Sequence, residues 1–398
     1  MKSARFLRLI GVLLLMTPCT VNGLGQQEHS RESQRLAALA FEQEGKVAEA
    51  EAAWRSLLSS QPNNSEAYAH LGLLEAHQEH YKEAIALYRK ALSLNPKMPS
   101  LRINLGLSLF KSGDMRAALQ AFEPLLKTEP NSPEALRLVT LIGLAHYRLG
   151  DYAASVPYLE QATAADPGNL PFRLMLAQSF LRSKQYRSVL DIYREILTIN
   201  PDSPEADMLA GEANDEMKND GEALAGFQAA VKADPAMPNV HFGFGYLFWK
   251  GLNFAEAENE FRSELASNPE HPLALAYLGD TEMRLNRSGE AAPYLEHAVR
   301  VRPSIAIAHL DLGIIYDGQG RKDDALRELK TVERLSPDAP SIHYRLGRLY
   351  KSMDREAEAK AEFDSTRNLQ QAKMRSFQEQ MRQVEPKPAG QSVDIGPK

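Results

Sequence analysis

Few side chains in this sequence stand where they could do chemistry, and the histidines are the first to test. His77 and His80 lie three residues apart, with His70 two helical turns before His77. At that spacing, two imidazoles share one face of a helix and could hold a metal between them. No third ligand follows in a His-Glu-x-x-His arrangement, so the group reads as solvated helix polar residues rather than a metal centre. His241, His309 and His343 recur at one register of the period described below, which favours a packing role over catalysis. The run Gly318-Gln319-Gly320-Arg321-Lys322 suggests a phosphate loop but lacks the Gly-Lys-Ser/Thr ending, and its glycines suit a turn. The single cysteine, Cys19, lies in the leader, so thiolate metal sites, cysteine nucleophiles and disulfides are excluded from the rest. No serine stands in a recognised nucleophile pattern. The expectation is therefore a protein with no catalytic residue, no cofactor and no metal, and hence not an enzyme.

What the sequence does contain is a period. Prolines fall at Pro62, Pro96, Pro130, Pro167, Pro201, Pro235, Pro269, Pro303 and Pro337, in steps of 34 with one step of 37. With that proline as position 32, position 8 is Gly or Ala in ten successive units, from Ala38 and Gly72 to Gly347. Position 20 is small throughout, as in Ala50, Ala84 and Ser155. Position 24 is bulky, as in Trp54, Tyr88, Phe122, Leu295 and Phe363. Apolar residues at three- and four-residue spacing make each unit two amphipathic helices, A and B. Small residues at positions 8 and 20 let the two helices approach closely, and the position-24 side chain fills the space beside that contact. The proline cannot continue helix B and sets the turn into the next unit.

This pattern resembles the tetratricopeptide-repeat family, best in residues 65–98 with Tyr68, Leu71-Gly72, Ala84, Tyr88, Ala91 and Pro96. The resemblance implies an all-α fold: a right-handed superhelical α-solenoid of about ten helix-turn-helix repeats over residues 31–367. The first unit departs from it, with Ala37-Ala38 in place of Leu-Gly. The 37-residue step predicts a longer turn near residues 131–136. Pro124, Pro157 and Pro293 fall inside predicted B helices, each removing one backbone hydrogen bond. Asn131-Ser132-Pro133-Glu134 and Asp202-Ser203-Pro204-Glu205 read as capped helix starts.

The ends are read differently. Lys2, Arg5 and Arg8 precede the apolar run from Leu9 to Met16, and small residues follow to Gly23. Residues 1–23 are expected to be a cleaved export signal, the run being too short to span a membrane. Lipid attachment at Cys19 is disfavoured by Pro18 before it. Residues 24–30 are expected as a short linker, 368–383 as a capping helix over the last repeat with Leu369, Phe377 and Met381 on one side, and 384–398 as a disordered tail.

The family resemblance also implies that A helices line a concave groove. Positions 2, 5, 9, 12 and 13 of helix A share about 100° of arc. They place Phe110 and Lys111, Tyr147 and Arg148, Arg182, Phe242, Tyr246, Trp249 and Lys250, Arg284, and Arg348 and Lys351 there, with Tyr344 and Arg345 beside the last pair. The sixth unit is opposite in sign, with Glu205, Glu212, Asp215 and Glu216. Aromatic and arginine residues are the usual anchors of an interface. The expected partner is a protein or extended peptide segment with apolar side chains and some acidic character. The Lys-Asn pair by which some family members clamp a carboxylate is absent from every unit. The formal net charge of −6 argues against nucleic acid, which needs clustered Lys and Arg. The alternative to a scaffold in the cell envelope is a recruitment subunit acting in trans for an envelope enzyme such as a glycosyltransferase or protease. Periplasmic or extracellular residence follows from the leader.

Overall fold

A computed structural model describes residues 21–384, apart from 129 and 131–133. The chain divides after Ser183 into two compact units. The N-terminal unit holds α1 (Val21–Gln43), α2 (Val47–Ser60), α3 (Ser65–His77), α4 (Tyr81–Leu94), α5 (Pro99–Ser112), α6 (Met115–Thr128), α7 (Ala135–Leu149), α8 (Tyr152–Ala165) and α9 (Leu170–Arg182). The C-terminal unit holds α10 (Tyr186–Ile199), α11 (Pro204–Glu216), α12 (Asp220–Ala233), α13 (Val240–Lys250), α14 (Phe254–Ser267) and α15 (Pro272–Arg284). It continues with α16 (Ser288–Val301), α17 (Ala306–Gly318), α18 (Lys322–Leu335), α19 (Pro340–Ser352) and α20 (Glu356–Val384). Within each unit every helix packs on the next, and no strand occurs among the described residues. Odd-numbered helices are the A helices and even-numbered ones the B helices, so the fold is an all-α solenoid of helix pairs.

The expected complementarity of positions 8 and 24 is what closes each pair. A Cβ added at Gly72 would lie 2.7 Å from Cε1 of Tyr88, and one at Gly279 would lie 2.5 Å from Leu295. Gly106 faces Phe122 and Gly347 faces Phe363 in the same way. Trp54, Tyr88, Phe122, Phe261 and Leu295 are all fully buried. Burying each such side chain contributes about 1.5–3 kcal/mol. Phe227 also meets Gly243 of the following repeat, so its ring is held between two A helices.

Position 15, in the A–B turn, has positive φ in all ten repeats. It is glycine at Gly45, Gly113, Gly150 and Gly320, but Glu79, Lys184, Lys218, Leu252, Asn286 and Asp354 adopt the same left-handed conformation. Two backbone bonds hold it: in the third repeat the Asp114 N–H donates to the Leu109 carbonyl at 2.9 Å and the Gly113 N–H to Phe110 at 3.2 Å. At the starts of A helices, the side chains of Asn64, Asn169 and Ser203 accept the N–H three residues on, the last as predicted for Asp202–Glu205. Pro124, Pro157 and Pro293 lie inside α6, α8 and α16, which continue through them.

Three expectations are revised or lie partly out of view. Residues 24–30 are not a linker: they belong to α1. Residues 368–383 are not a separate cap. They prolong α20 beyond the last repeat, with Met374, Phe377 and Met381 more than half exposed, because no further A helix stands opposite them. The inserted residues are shared: α6 and α7 are separated by 129–134, where the other B–A junctions have four residues except the six between α12 and α13, and α7 itself runs 15 residues. Residues 135–136 of the predicted turn are therefore already helical. The export signal as far as residue 20, the capping proposed for 131–133, and the tail from 385 lie outside the described residues.

Candidate functional site

Three polar contacts between successive A helices share one offset. Tyr147 donates its hydroxyl to Oε1 of Gln178, and Trp249 donates Nε1 to Oδ2 of Asp280 at 2.5 Å; in both, position 12 of one repeat reaches position 9 of the next, 31 residues on. Arg35 and Glu66 pair at 2.7 Å with the same separation. Stacking thus decides which groove residues are tied to neighbours.

In the N-terminal unit, the Arg148 guanidinium sits 5.3 Å over the Phe110 ring, joining α7 to α5. Tyr147 meets the edge of Tyr152, and burial, with Tyr152 adding and Arg182 opposing, raises its hydroxyl above the ordinary tyrosine range. Lys111 is exposed at the end of α5, and Arg182 is exposed at the end of α9.

In the C-terminal unit, Phe242, Tyr246 and Trp249 form one aromatic cluster with Tyr277. Tyr246 and Trp249 stack at 5.8 Å, and Tyr277 stands edge-on to Trp249 at 4.9 Å. Phe242 packs between Phe261 and His271. Lys250 donates to Asp215 of the acidic sixth repeat at 2.5 Å, and that bond raises its pKa. Arg284 approaches Asp280 at 3.4 Å. Arg348 and Lys351 are exposed on α19, and Tyr344 is half-exposed beside Phe363. Of the twelve predicted residues, five lie in the N-terminal unit and seven in the C-terminal unit. Several of their aromatic and cationic groups are engaged between neighbouring A helices, which leaves Arg348 and Lys351 as the exposed basic end of the C-terminal unit.

Sequence reasoning missed two acids. A cavity of about 310 Å³ opens on the A-helix face, walled by Trp249, Met283, Ile307, Leu310 and Ile314 and bordered by Arg284 and Arg345. Asp280 and Asp311 lie in it, 2% and 5% exposed. Asp280 occupies position 9 and was legible as a groove residue; Asp311, at position 6, falls outside the positions chosen.

The histidines have structural partners. His241, His309 and His343 bond Glu260, Glu328 and Glu362 through Nδ1 at 2.6, 2.6 and 2.7 Å. The Nε2 atoms of His309 and His343 also donate to the carbonyls of Pro303 and Pro337, the position-32 prolines before them. His70 stacks on Trp54 and bonds Glu42, His80 bonds Glu75, and His77 is exposed, so these three do not converge. Among the described residues, Glu333, His343 and Glu362 cluster closely enough to hold an ion, but the Lys330 ammonium already reaches both carboxylates at 2.9 Å. Gly318–Lys322 spans the end of α17 and its A–B turn, with Arg321 stacked 4.1 Å over Tyr316.

Sequence profiles described as tetratricopeptide repeat match residues 75–142 and 146–213, and also 35–99, 242–304, 278–340 and 310–365. The chain is similar to the CTR9 homolog of Arabidopsis thaliana, 24% identical over 298 residues, which is 72% of this chain and 27% of that protein. It is similar to the Vi polysaccharide export protein VexE of Salmonella typhi, 33% identical over 118 residues, 29% of this chain and 18% of that one. It thus spans only a part of each relative's length. A tetratricopeptide repeat protein from Parabacteroides merdae has a crystal structure that aligns with 67% of this chain and 98% of its own, at 18% identity and a TM-score of 0.49. With the repeat profiles matching along most of residues 35–365, this chain belongs to the tetratricopeptide-repeat family.

Proposed function

We propose that this chain is a non-enzymatic scaffold that binds a protein or extended peptide segment along its A-helix face, in the cell envelope or outside the cell. Proteins of this family are generally protein-interaction scaffolds and generally non-catalytic. The observation that carries the reading is the cavity between Trp249 and Arg345, open on the face where this fold presents its A helices and lined by apolar walls over polar groups. Arg348 and Lys351, exposed one and two turns beyond, extend that face with the charge suited to an acidic stretch of the partner. Nucleic acid is a poor match for a chain of formal net charge −6 in which Lys250 is neutralised by Asp215 and Arg148 is stacked on Phe110. Export rests on the leader pattern of Lys2, Arg5, Arg8 and the apolar run after them.

The test is photocrosslinking in cells from position 348, with position 290 on the B helix α16 as control, followed by mass spectrometry and by fractionation of the cells. One defined partner from position 348 and not 290, in a mature chain shortened by its leader and found outside the cytoplasm, is the expected result. Equal capture from both positions, or none, overturns the binding face; a full-length cytoplasmic chain overturns the export reading.

A further inference from the structure

We propose that the cavity between α15, α17 and α19 receives the side chain of a lysine or arginine from the partner segment, its cation meeting Asp280 and Asp311. The inference rests on the scaffold reading above and adds the chemistry of what is bound.

One buried acid of the C-terminal unit keeps an oxygen with no hydrogen-bond partner. The C-terminal unit pairs its other deeply buried acids: Glu282 with Arg262 and Arg287, Glu264 with the backbone N–H groups of Asn239 and Phe242, Glu362 with Lys330 and His343. Asp311 differs. Its Oδ2 is buried and has no hydrogen-bond partner. Its neighbour is a second acid, Asp280, which already accepts from Trp249. A buried acceptor without a donor is costly, and two facing carboxylates more so, unless a proton held between them, as the Asp311–Asp280 hydrogen bond implies, or a cation joins them.

The chain's own cations do not fill that role. Arg284 stands 3.4 Å from Asp280 with its side chain 56% exposed, and Arg345 is exposed at the border of the cavity. Both pull the Asp311 carboxyl down, yet burial, reinforced by Asp280, holds it well above the usual carboxylate range. A cation entering from solvent would ionise Asp311 and release its proton, so binding should strengthen as pH rises. The walls fit the rest of such a side chain. Met283, Ile307, Leu310 and Ile314 present apolar surface above the acids, which suits an aliphatic stem carrying a terminal charge.

The chain has two tryptophans, Trp54 and Trp249, so 5-fluorotryptophan labelling yields two ¹⁹F signals: one in the cavity wall and one in the core of the N-terminal unit as internal control. The probes are capped peptides Ala-Ala-X-Ala-Ala with X as lysine, arginine, norleucine or glutamate. The lysine and arginine peptides should move the Trp249 signal alone, with Kd about tenfold or more below that of the norleucine peptide. That advantage should grow between about pH 6 and about pH 9 and vanish in Asp311→Asn. Equal binding of lysine and norleucine peptides, or preference for glutamate, overturns cation recognition while leaving the binding face intact. No response to any peptide also overturns it, and the crosslinking from position 348 then judges the scaffold reading by itself.

Discussion

Trp249 and Asp280 join the seventh A helix to the eighth by one hydrogen bond of 2.5 Å, between an indole N–H and a carboxylate that is 2% exposed. The indole makes the shorter bond to that acid, Arg284 donating Nε to both of its oxygens at 3.4 Å. Trp249→Phe keeps the ring stack with Tyr246 and Tyr277 but removes the donor. The expected cost is about 1–3 kcal/mol, read from the urea midpoint, since a buried charge loses its partner. A variant as stable as the parent would mean that Asp280 is answered in another way.

The helix pairs close on missing Cβ atoms, so adding one should show where. In Gly279→Ala the new methyl lies 2.5 Å from Leu295, which is fully buried and has nowhere to retreat. Destabilisation of about 1–3 kcal/mol is expected. Gly289→Ala meets nothing within 4 Å and should instead stabilise by about 0.4–1 kcal/mol. Thermal denaturation of the pair checks both signs at once; equal effects would refute the close-approach argument.

The His309–Glu328 pair implies a dependence on pH. The bond to Glu328 raises the His309 pKa above its ordinary value, burial opposing and the Pro303 carbonyl assisting. A histidine pKa raised by folding stabilises the fold fully below the unfolded value of about 6.5 and ceases to do so as pH rises through the folded value. His309→Gln should therefore cost roughly 1–3 kcal/mol near pH 5.5 and progressively less at alkaline pH. Urea titrations across that range measure it; a cost that is constant with pH would assign the residue to packing alone.

The end of α20 offers a cleaner test of what the last repeat needs. Ala359, Glu362 and Thr366 are buried against the repeat, whereas every side chain described from Gln370 to Arg382 is exposed. A chain ending at Asn368 should keep its melting temperature, with a change within about 0.5 kcal/mol. A chain ending at Arg355 uncovers α19 and should lose the cooperative unfolding of the last repeat. A large loss from the shorter deletion would restore the capping role expected of Leu369, Phe377 and Met381.

Much of the fold was legible because it repeats. The nine prolines and the small residues at fixed spacing announced the helix pairs, and Gly72 opposite Tyr88 or Gly279 opposite Leu295 are the contacts that spacing implied. The left-handed position 15 was visible only where glycine stands, as at Gly320. At Leu252 or Glu79 the backbone bonds that close the end of helix A impose the same φ, and the residue type carries no sign of it.

The site was legible only in outline. The arc of helix A grouped Trp249 and Lys250, and both meet side chains of adjacent A helices. Which of them remain available to a partner was not legible. Lys250 is held by Asp215, Arg148 by Phe110 and Trp249 by Asp280, each a residue of a neighbouring repeat. The period, the helix pairs and the closing of position 8 on position 24 were determined by sequence alone, because those contacts lie inside one repeat and recur in the eight repeats where position 8 is glycine. The polar pattern of the A-helix face was decided by tertiary structure, because stacking brings together side chains about 31 residues apart. Whether a charge is paired, stacked or left unanswered like Asp311 then depends on what the next repeat happens to carry.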